Sequence, residues 1–226
     1  MPTAAPKDLA PSAHLDHWPR QQLPPAEEWP RLTLEGVYAY PQQLNAAVEL
    51  VDRALSDGHA HRTALITPDS SGGWLHTTYA ELAAQVDALA QVLVHDMGLE
   101  PGNRVLLRGF NGRWMAIAWL ATVKAGLVAV TTMPLLRTKE LRVIIERAKC
   151  QAALCDTRLA DELRLAAEAP TTLRDIRVWG TSDAEGLEAL MAAPRGAFTA
   201  VDTSRDDVCL IAFTSGTTGV PKGCMH

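Results

Sequence analysis

Residues 208–223 read V-C-L-I-A-F-T-S-G-T-T-G-V-P-K-G, a short apolar run followed by a loop rich in glycine and hydroxyl side chains. The run 208–213 comes directly after the acidic pair Asp206 and Asp207, a pattern that predicts a buried strand. Open α/β sheets place their ligands where loops leave the carboxyl ends of such strands. We therefore predict that residues 214–223 form a ligand-binding loop at a sheet edge.

The composition of this loop indicates that the ligand is a phosphate. Three glycines remove Cβ atoms, so backbone N–H groups can approach an anion closely. Four hydroxyl side chains add donors, and Lys222 adds a mobile positive charge. The predicted phosphate-binding residues are Thr214, Ser215, Gly216, Thr217, Thr218, Gly219 and Lys222. A solvated turn with an exposed lysine is the alternative, but ten consecutive residues of suitable types favour phosphate binding.

The loop is neither of the two common nucleotide-binding motifs. Lys222 follows Pro221 rather than a glycine, so the loop is not G-x-x-x-x-G-K-[ST], and it is not G-x-G-x-x-G. It resembles instead the phosphate-binding motif of the adenylate-forming superfamily. That superfamily contains acyl- and aryl-CoA synthetases, luciferases and the adenylation domains of peptide synthetases.

Three earlier segments resemble the same superfamily in the same order. Thr78–Leu82 resembles its T-Y-x-E-L segment, and Pro101–Val105 resembles its P-G-D-R-V turn with Asn103 in place of the aspartate. Lys124–Gly126 resembles a K-A-G stretch that leads to a helix near Thr138. The resemblance covers nearly everything after about residue 40. It implies an α/β fold with a layered, mostly parallel, doubly wound sheet, the N-terminal half of the large domain of an adenylate-forming enzyme.

Hydrophobic periodicity independently predicts alternating helices and strands, which imply parallel βαβ units. A capping box at Thr78 and Glu81 predicts a helix that runs to Gly98, and a similar pattern at Ser182–Glu185 predicts another helix start. The other predicted helices cover 42–57, 113–124, 139–149, 161–168 and 184–191. The predicted strands cover 104–107, 128–131, 152–154, 177–179 and 208–213, and 65–67 with 74–76 form a hairpin.

The resemblance also implies a reaction. Members join a carboxylate to the α-phosphate of ATP, release pyrophosphate, and pass the acyl group to the thiol of coenzyme A. Lys222 is then the catalytic residue that offsets charge on the departing pyrophosphate. ATP, Mg²⁺ and coenzyme A are the expected cofactors and co-substrates, with no residue of the chain assigned to the metal.

A narrower resemblance points to the benzoate and 2-aminobenzoate CoA ligases. It rests on T-M-P-L-L-R at Thr132–Arg137, on Gly223–His226, and on the proline-rich Leu23–Pro30. The implied substrate is an aromatic carboxylic acid of the benzoate or 2-aminobenzoate type. His226 matches a position near the acid, but as the last residue we expect it to be disordered.

The predicted organisation is an extended N-terminal arm over 1–40 and, over 41–226, the N-terminal part of an adenylation domain that stops just after the phosphate loop. The resemblance places the adenine, ribose and lid-lysine elements later in the chain than residue 226. We therefore expect residues 1–226 alone to be inactive. Two alternatives stay open: a non-catalytic fragment that binds phosphate, and an unrelated nucleotide hydrolase.

The amino-acid composition limits which partners and which cellular location we expect. The net charge is −5 and no Lys/Arg cluster occurs, which argues against nucleic acid binding. Met115–Leu136, the only long apolar stretch, contains a lysine, a glycine and a proline that break a membrane span. The four cysteines lack zinc or C-x-x-C spacing and indicate reduced thiols in a cytoplasmic protein. His59 and His61 lack a third ligand, so we predict no metal site there.

Overall fold

The computed structural model describes residues 9–29, 40–69, 71–168, 170–193, 195–214 and 221–226. Within these ranges the chain forms a six-stranded sheet with helices on both faces and a separate two-stranded hairpin. The hairpin pairs β1 (Thr63–Pro68) with β2 (Trp74–Thr78), as predicted. No described helix has the length and apolar character needed to cross a membrane.

The large sheet consists of five parallel strands and one antiparallel edge strand. Its strands are β3 (Arg104–Arg108), β4 (Val128–Thr132), β5 (Cys150–Asp156), β6 (Asp175–Trp179), β7 (Leu210–Thr214) and β8 (Lys222–Met225). They lie in the order β6-β5-β3-β4-β7-β8, and only β8 runs antiparallel to its neighbour. The chain therefore moves outward from β3 in one direction to β4 and in the other to β5, which confirms the doubly wound, mostly parallel sheet.

Seven α-helices connect or flank these strands in the described residues. They are α1 (Trp18–Gln21), α2 (Arg53–Ser56), α3 (Tyr79–Gln91), α4 (Arg113–Lys124), α5 (Thr138–Ala148), α6 (Ala160–Ala167) and α7 (Leu187–Ala192). Short 3₁₀ turns cover Ala26–Glu28 and Thr157–Leu159. π-helical turns cover Val48–Asp52, ahead of α2, and Val92–Asp96, after α3.

Two hydrophobic cores cover the two faces of the sheet. Successive side chains of a strand point to opposite faces, so Val105 and Leu107 of β3 lie in one core and Leu106 in the other. The first core contains α3, α4 and α7, and the second contains α5 and α6. Each large aliphatic side chain buried there contributes about 1.5–3 kcal/mol. Both faces of β3 are consequently covered, and all five of its residues are buried.

Two of the superfamily-like segments have structural roles. Thr78 accepts a hydrogen bond from the Glu81 amide, and the Glu81 carboxylate accepts one from the Thr78 amide, so the predicted capping box is confirmed. Gly102 has a φ of +92°, and a Cβ there would lie 2.3 Å from the carbonyl oxygen of Asp16. The glycine is required because residue 102 turns in the left-handed region while the N-terminal segment packs directly against it.

The third segment supplies a buried cation. Lys124, at the end of α4, is 3% exposed, and its Nζ lies 2.9 Å from Asp52 Oδ1 and 2.5 Å from Asp87 Oδ1. These contacts join α4 to α3 and to the π-helical turn before α2. The motif lysine therefore stabilises helix packing at the amino edge of the sheet.

Several predicted boundaries were wrong. The helix predicted over 42–57 begins later, because Gln43 pairs with Ser204 and Asn45 bonds to the carbonyls of Val123 and Val201. Helix α7 begins at Leu187 and not at 184. Gly186 is extended and offers no side-chain cap, while Glu185, the acid of the predicted capping box, bonds to Arg177.

The N-terminal segment 9–29 lies against the body of the protein. Trp18 lies under the Arg104 guanidinium, whose carbon is 4.7 Å from the ring centroid. Trp29 donates to the nearby Pro24 carbonyl. The division into an arm over 1–40 and a domain over 41–226 stays a prediction.

Candidate functional site

The candidate site lies at the carboxyl edge of the large sheet. The last residues of the parallel strands meet at this edge, which is where open α/β sheets bind ligands. Those residues are Trp179, Asp156, Arg108, Thr132 and Thr214, from β6, β5, β3, β4 and β7. Lys222 joins them, because β8 begins at the same edge and runs in the opposite direction.

Thr214 and Lys222 bracket the predicted phosphate loop. Their Cα atoms are paired in register at the open end of β7 and β8, and both side chains are exposed. Arg147 of α5 donates to the Pro221 carbonyl at 3.3 Å, which anchors the returning end of the connection. The predicted residues Ser215, Gly216, Thr217, Thr218 and Gly219 lie outside the described residues. The structure therefore brings Thr214 and Lys222 together and leaves the other assignments as predictions.

The chain just before β7 is held by hydrogen bonds at the end opposite the phosphate loop. Asp207, whose side chain is 2% exposed, accepts hydrogen bonds from the Ser12 hydroxyl and from the Ala13 and Ser204 amides, and pairs with Arg20 at 3.3 Å. The strand itself starts at Leu210, so Cys209 precedes it and does not lie within it as predicted. β7 is thus held at its start by the N-terminal segment and carries the loop at its end.

His226 is ordered, contrary to our expectation. Its amide donates to the Leu210 carbonyl at 2.9 Å, and its carbonyl accepts from the Cys209 amide at 2.8 Å. These bonds extend the β7–β8 pairing by one residue beyond Met225. Backbone pairing with β7 therefore holds His226 against the sheet.

Charged and aromatic side chains that the sequence analysis missed stand beside the site. Asp156 ends β5, and hydrogen bonds from Arg158, at 2.6 Å and 2.9 Å, are the main cause that holds its pKa below the usual value. The same guanidinium lies 4.5 Å from the ring centroid of Phe110, which follows β3. This pairing joins the loops after two adjacent strands.

An open cleft of about 410 Å³ lies on the α4 face near the same edge. Its lining is apolar apart from Asn111 and Thr131, with Met115 and Trp119 the largest side chains. Within the described ranges, no three His, Cys, Asp or Glu side chains group as a metal site would require.

Comparison with known proteins identifies the family to which this chain belongs. The family model described as AMP-binding enzyme matches residues 52–226, so the chain belongs to the AMP-binding enzyme family. This membership confirms the resemblance drawn from the phosphate loop, and it removes the alternative of an unrelated nucleotide hydrolase.

Aryl-CoA ligases are among the relatives that this chain resembles. The chain is 30% identical over 186 residues to benzoate–CoA ligase of Thauera aromatica, covering 82% of this chain and 34% of the relative. It is 30% identical to 4-hydroxybenzoate–CoA/benzoate–CoA ligase of Rhodopseudomonas palustris, covering 80% and 33%. The chain thus spans about a third of the length of these two ligases.

A solved structure agrees with this result. The anthranilate CoA ligase AuaEII, in complex with anthranoyl-AMP, superposes with a TM-score of 0.75 at 25% identity, covering 83% of this chain and 35% of that one. A long-chain-fatty-acid-CoA ligase from Archaeoglobus fulgidus, 20% identical, has the same fold with a TM-score of 0.72. The fold is therefore that of the N-terminal portion of adenylate-forming enzymes.

Proposed function

We propose that this chain carries the ATP-phosphate site of an AMP-forming acid–CoA ligase. In that reaction a carboxylate oxygen bonds to the α-phosphorus of ATP and pyrophosphate leaves. The thiol of coenzyme A then takes the acyl group, and AMP is released. Family membership and the two benzoate–CoA ligase relatives support this proposal.

The pairing of Thr214 with Lys222 is the observation that carries the proposal. A hydroxyl and an ammonium group stand in register at the end of a sheet strand, with the glycine-rich connection between them. Donors placed this way suit a polyphosphate, whose negative charge shifts during phosphoryl transfer. Lys222 is proposed to offset charge on the leaving pyrophosphate. Thr214, Ser215, Gly216, Thr217, Thr218 and Gly219 are proposed to bind the phosphate oxygens.

We propose that Mg²⁺ enters this site with the phosphates of the nucleotide. No carboxylate among the described residues accompanies Thr214 and Lys222 in a cluster of metal-ligand type. Mg²⁺ binds proteins through one or two carboxylates together with substrate phosphates. We therefore assign no side chain of the described ranges to the metal.

The proposed acid is aromatic, of the benzoate or 2-aminobenzoate type. Support comes from relatives named for benzoate and 4-hydroxybenzoate, and from the fold shared with a ligase named for anthranilate. We also propose a cytoplasmic location, since all four cysteines are free thiols and two of them lie buried in β5.

Binding of nucleotides to the purified chain tests the phosphate site. We expect MgATP and magnesium pyrophosphate to compete for one site in isothermal titration calorimetry, and adenosine not to compete, because the proposed contacts are to phosphate. Failure of both phosphate ligands to bind would contradict the proposal. Competition by adenosine would show that the base, and not the phosphates, carries the affinity.

Exchange of labelled pyrophosphate into ATP tests acid activation. We expect no acid-dependent exchange from residues 1–226 with benzoate or 2-aminobenzoate. MgATP binding without exchange agrees with the non-catalytic phosphate-binding alternative for this chain. Acid-dependent exchange would place the first half of the reaction within these 226 residues and remove that alternative.

A further inference from the structure

Arg108 is a buried cation at the ligand edge of the sheet. It ends β3, between the ends of β4 and β5, and is 1% exposed. Its guanidinium donates to four carbonyl oxygens, at distances of 2.8–3.2 Å. The acceptors are Leu159, Met133, Pro134 and Leu136.

These hydrogen bonds hold the backbone of a loop in place and do not form an ion pair. No carboxylate among the described residues lies within ion-pair distance of the Arg108 guanidinium, unlike that of Arg104 at the other end of β3. Three of the four acceptors belong to Met133–Leu136, the connection between β4 and α5. The planar guanidinium fixes several acceptors at once, which a single ammonium cannot do.

Two side chains of the loop held in this way face solvent. Met133 is 63% exposed and Leu135 is 80% exposed, although their backbone lies over a buried cation. The loop leaves β4, which pairs with β7, the strand that ends at Thr214. We call Met133–Leu136 the wall; it starts beside the end of β7, on the side away from β8.

We propose that Arg108 is a positioning residue for the nucleotide site, holding Met133–Leu136 as a fixed wall next to the end of β7. The inference rests on the proposed function, because it assigns the wall to the ATP-phosphate site described above. Arg108 itself touches no ligand in this assignment. It acts by setting where the backbone of the wall lies when the nucleotide enters.

Arg104 provides a matched control. It lies in the same strand, is 2% exposed, and donates to the carbonyls of Gly102, Ala148 and Lys149 and to Asp16. All of these contacts are at the amino edge of the sheet, away from Thr214. Replacing either arginine by methionine removes a buried guanidinium from β3, but only Arg108→Met releases the wall.

The test combines amide hydrogen exchange with MgATP affinity in the unsubstituted chain, Arg108→Met, Arg108→Lys and Arg104→Met. In Arg108→Met we expect the amides of Met133, Leu135 and Leu136 to exchange about tenfold faster while β3 and β5 stay protected, and the affinity for MgATP to fall about tenfold. Arg104→Met should lower the melting temperature at least as much as Arg108→Met does. It should leave the amide exchange of the wall and the affinity for MgATP unchanged. Arg108→Lys should restore part of the protection.

The outcomes separate this inference from the proposed function. Unchanged exchange at 133–136 in Arg108→Met would overturn the inference, and so would an equal loss of affinity in Arg104→Met. Absence of MgATP binding in the unsubstituted chain would contradict the proposed function. The exchange comparison would then still decide whether Arg108 holds the wall, and Arg108→Lys serves if Arg108→Met does not fold.

Discussion

Thr214 and Lys222 are direct partners in the antiparallel pair of β7 and β8. The connection between them therefore starts and ends at one strand spacing, roughly 5 Å. A phosphate held by the connection can be reached by the hydroxyl from one strand and by the ammonium from the other.

Lys222→Ala is expected to weaken MgATP binding about tenfold, a loss of ~1.4 kcal/mol. The variant removes the ammonium group at the returning end of the connection, while the exposed side chain adds nothing to the core. Calorimetric titration measures the affinity and thermal unfolding measures the fold. Lys139→Ala, which removes an exposed lysine from α5, is the matched control and should bind as the unsubstituted chain does. Equal affinities in both variants would exclude Lys222 from the phosphate site.

Lys124→Met is expected to lower the free energy of unfolding by about 3 kcal/mol. The variant leaves Asp52 and Asp87 facing each other without their cation in a partly buried position. Urea unfolding measures the change. The exposed pair of Arg53 and Glu49 provides the comparison, since Arg53→Ala should change stability by less than about 0.5 kcal/mol. A small effect of Lys124→Met would mean that the two carboxylates find other partners.

Gly102→Ala is expected to destabilise the protein more than Gly98→Ala. Both glycines have positive φ, so each substitution costs about 1 kcal/mol in backbone strain. Only at Gly102 would the new Cβ also meet a backbone atom, the Asp16 oxygen, whereas nothing lies within 4 Å at Gly98. The additional loss of stability in Gly102→Ala, measured by thermal unfolding, reports the displacement of the N-terminal segment. The fluorescence of Trp18 should change only in Gly102→Ala. Equal losses would show that the segment moves away without cost.

Acidification is expected to destabilise the protein through His14. Burial lowers the pKa of His14 below its ordinary value of 6.5, opposed by the nearby Asp207 and Asp16 and assisted by Arg20 and His17. The unfolded chain therefore binds the proton more readily than the folded one. Above about pH 6.5, His14 should make no pH-dependent contribution to the free energy of unfolding. That free energy should fall as the pH drops from 6.5 toward the lowered pKa of His14 in the folded chain.

Urea titrations between pH 8 and pH 5 measure this slope. In His14→Gln the part of the slope due to residue 14 should disappear. An unchanged slope in the variant would show that His14 titrates alike in the folded and unfolded chains.

The sequence predicted the parts of the fold that obey simple periodicity. α4 was predicted to the residue, since its apolar face is regular, and the Thr78 cap marked the start of α3. β8 was missed because Lys222–Met225 is short and mostly exposed, so it carries no hydrophobic pattern. Boundaries decided by tertiary contacts, such as Asn45 on the Val123 carbonyl, were also out of reach.

The candidate site was predicted only in its loop. Glycine and hydroxyl composition singled out 214–223, but Arg108 and Asp156 gave no such signal, because a charged residue beside an apolar run ordinarily marks the exposed end of a strand. The pattern R-V-L-L-R places arginines at both ends of β3, and the structure buries both of them. Arginine can be buried there because main-chain carbonyls of neighbouring loops satisfy its donors.

Asp207 has a consequence for where the folding unit begins. Three of its four donors come from residues 12–20, whereas the matched family region starts at residue 52. A protein shortened to residues 52–226 would keep the phosphate loop. Of the four donors to the buried Asp207 carboxylate, it would keep only the Ser204 amide. Residues 12–20 therefore contribute to the folded structure around β7 although they precede the matched family region.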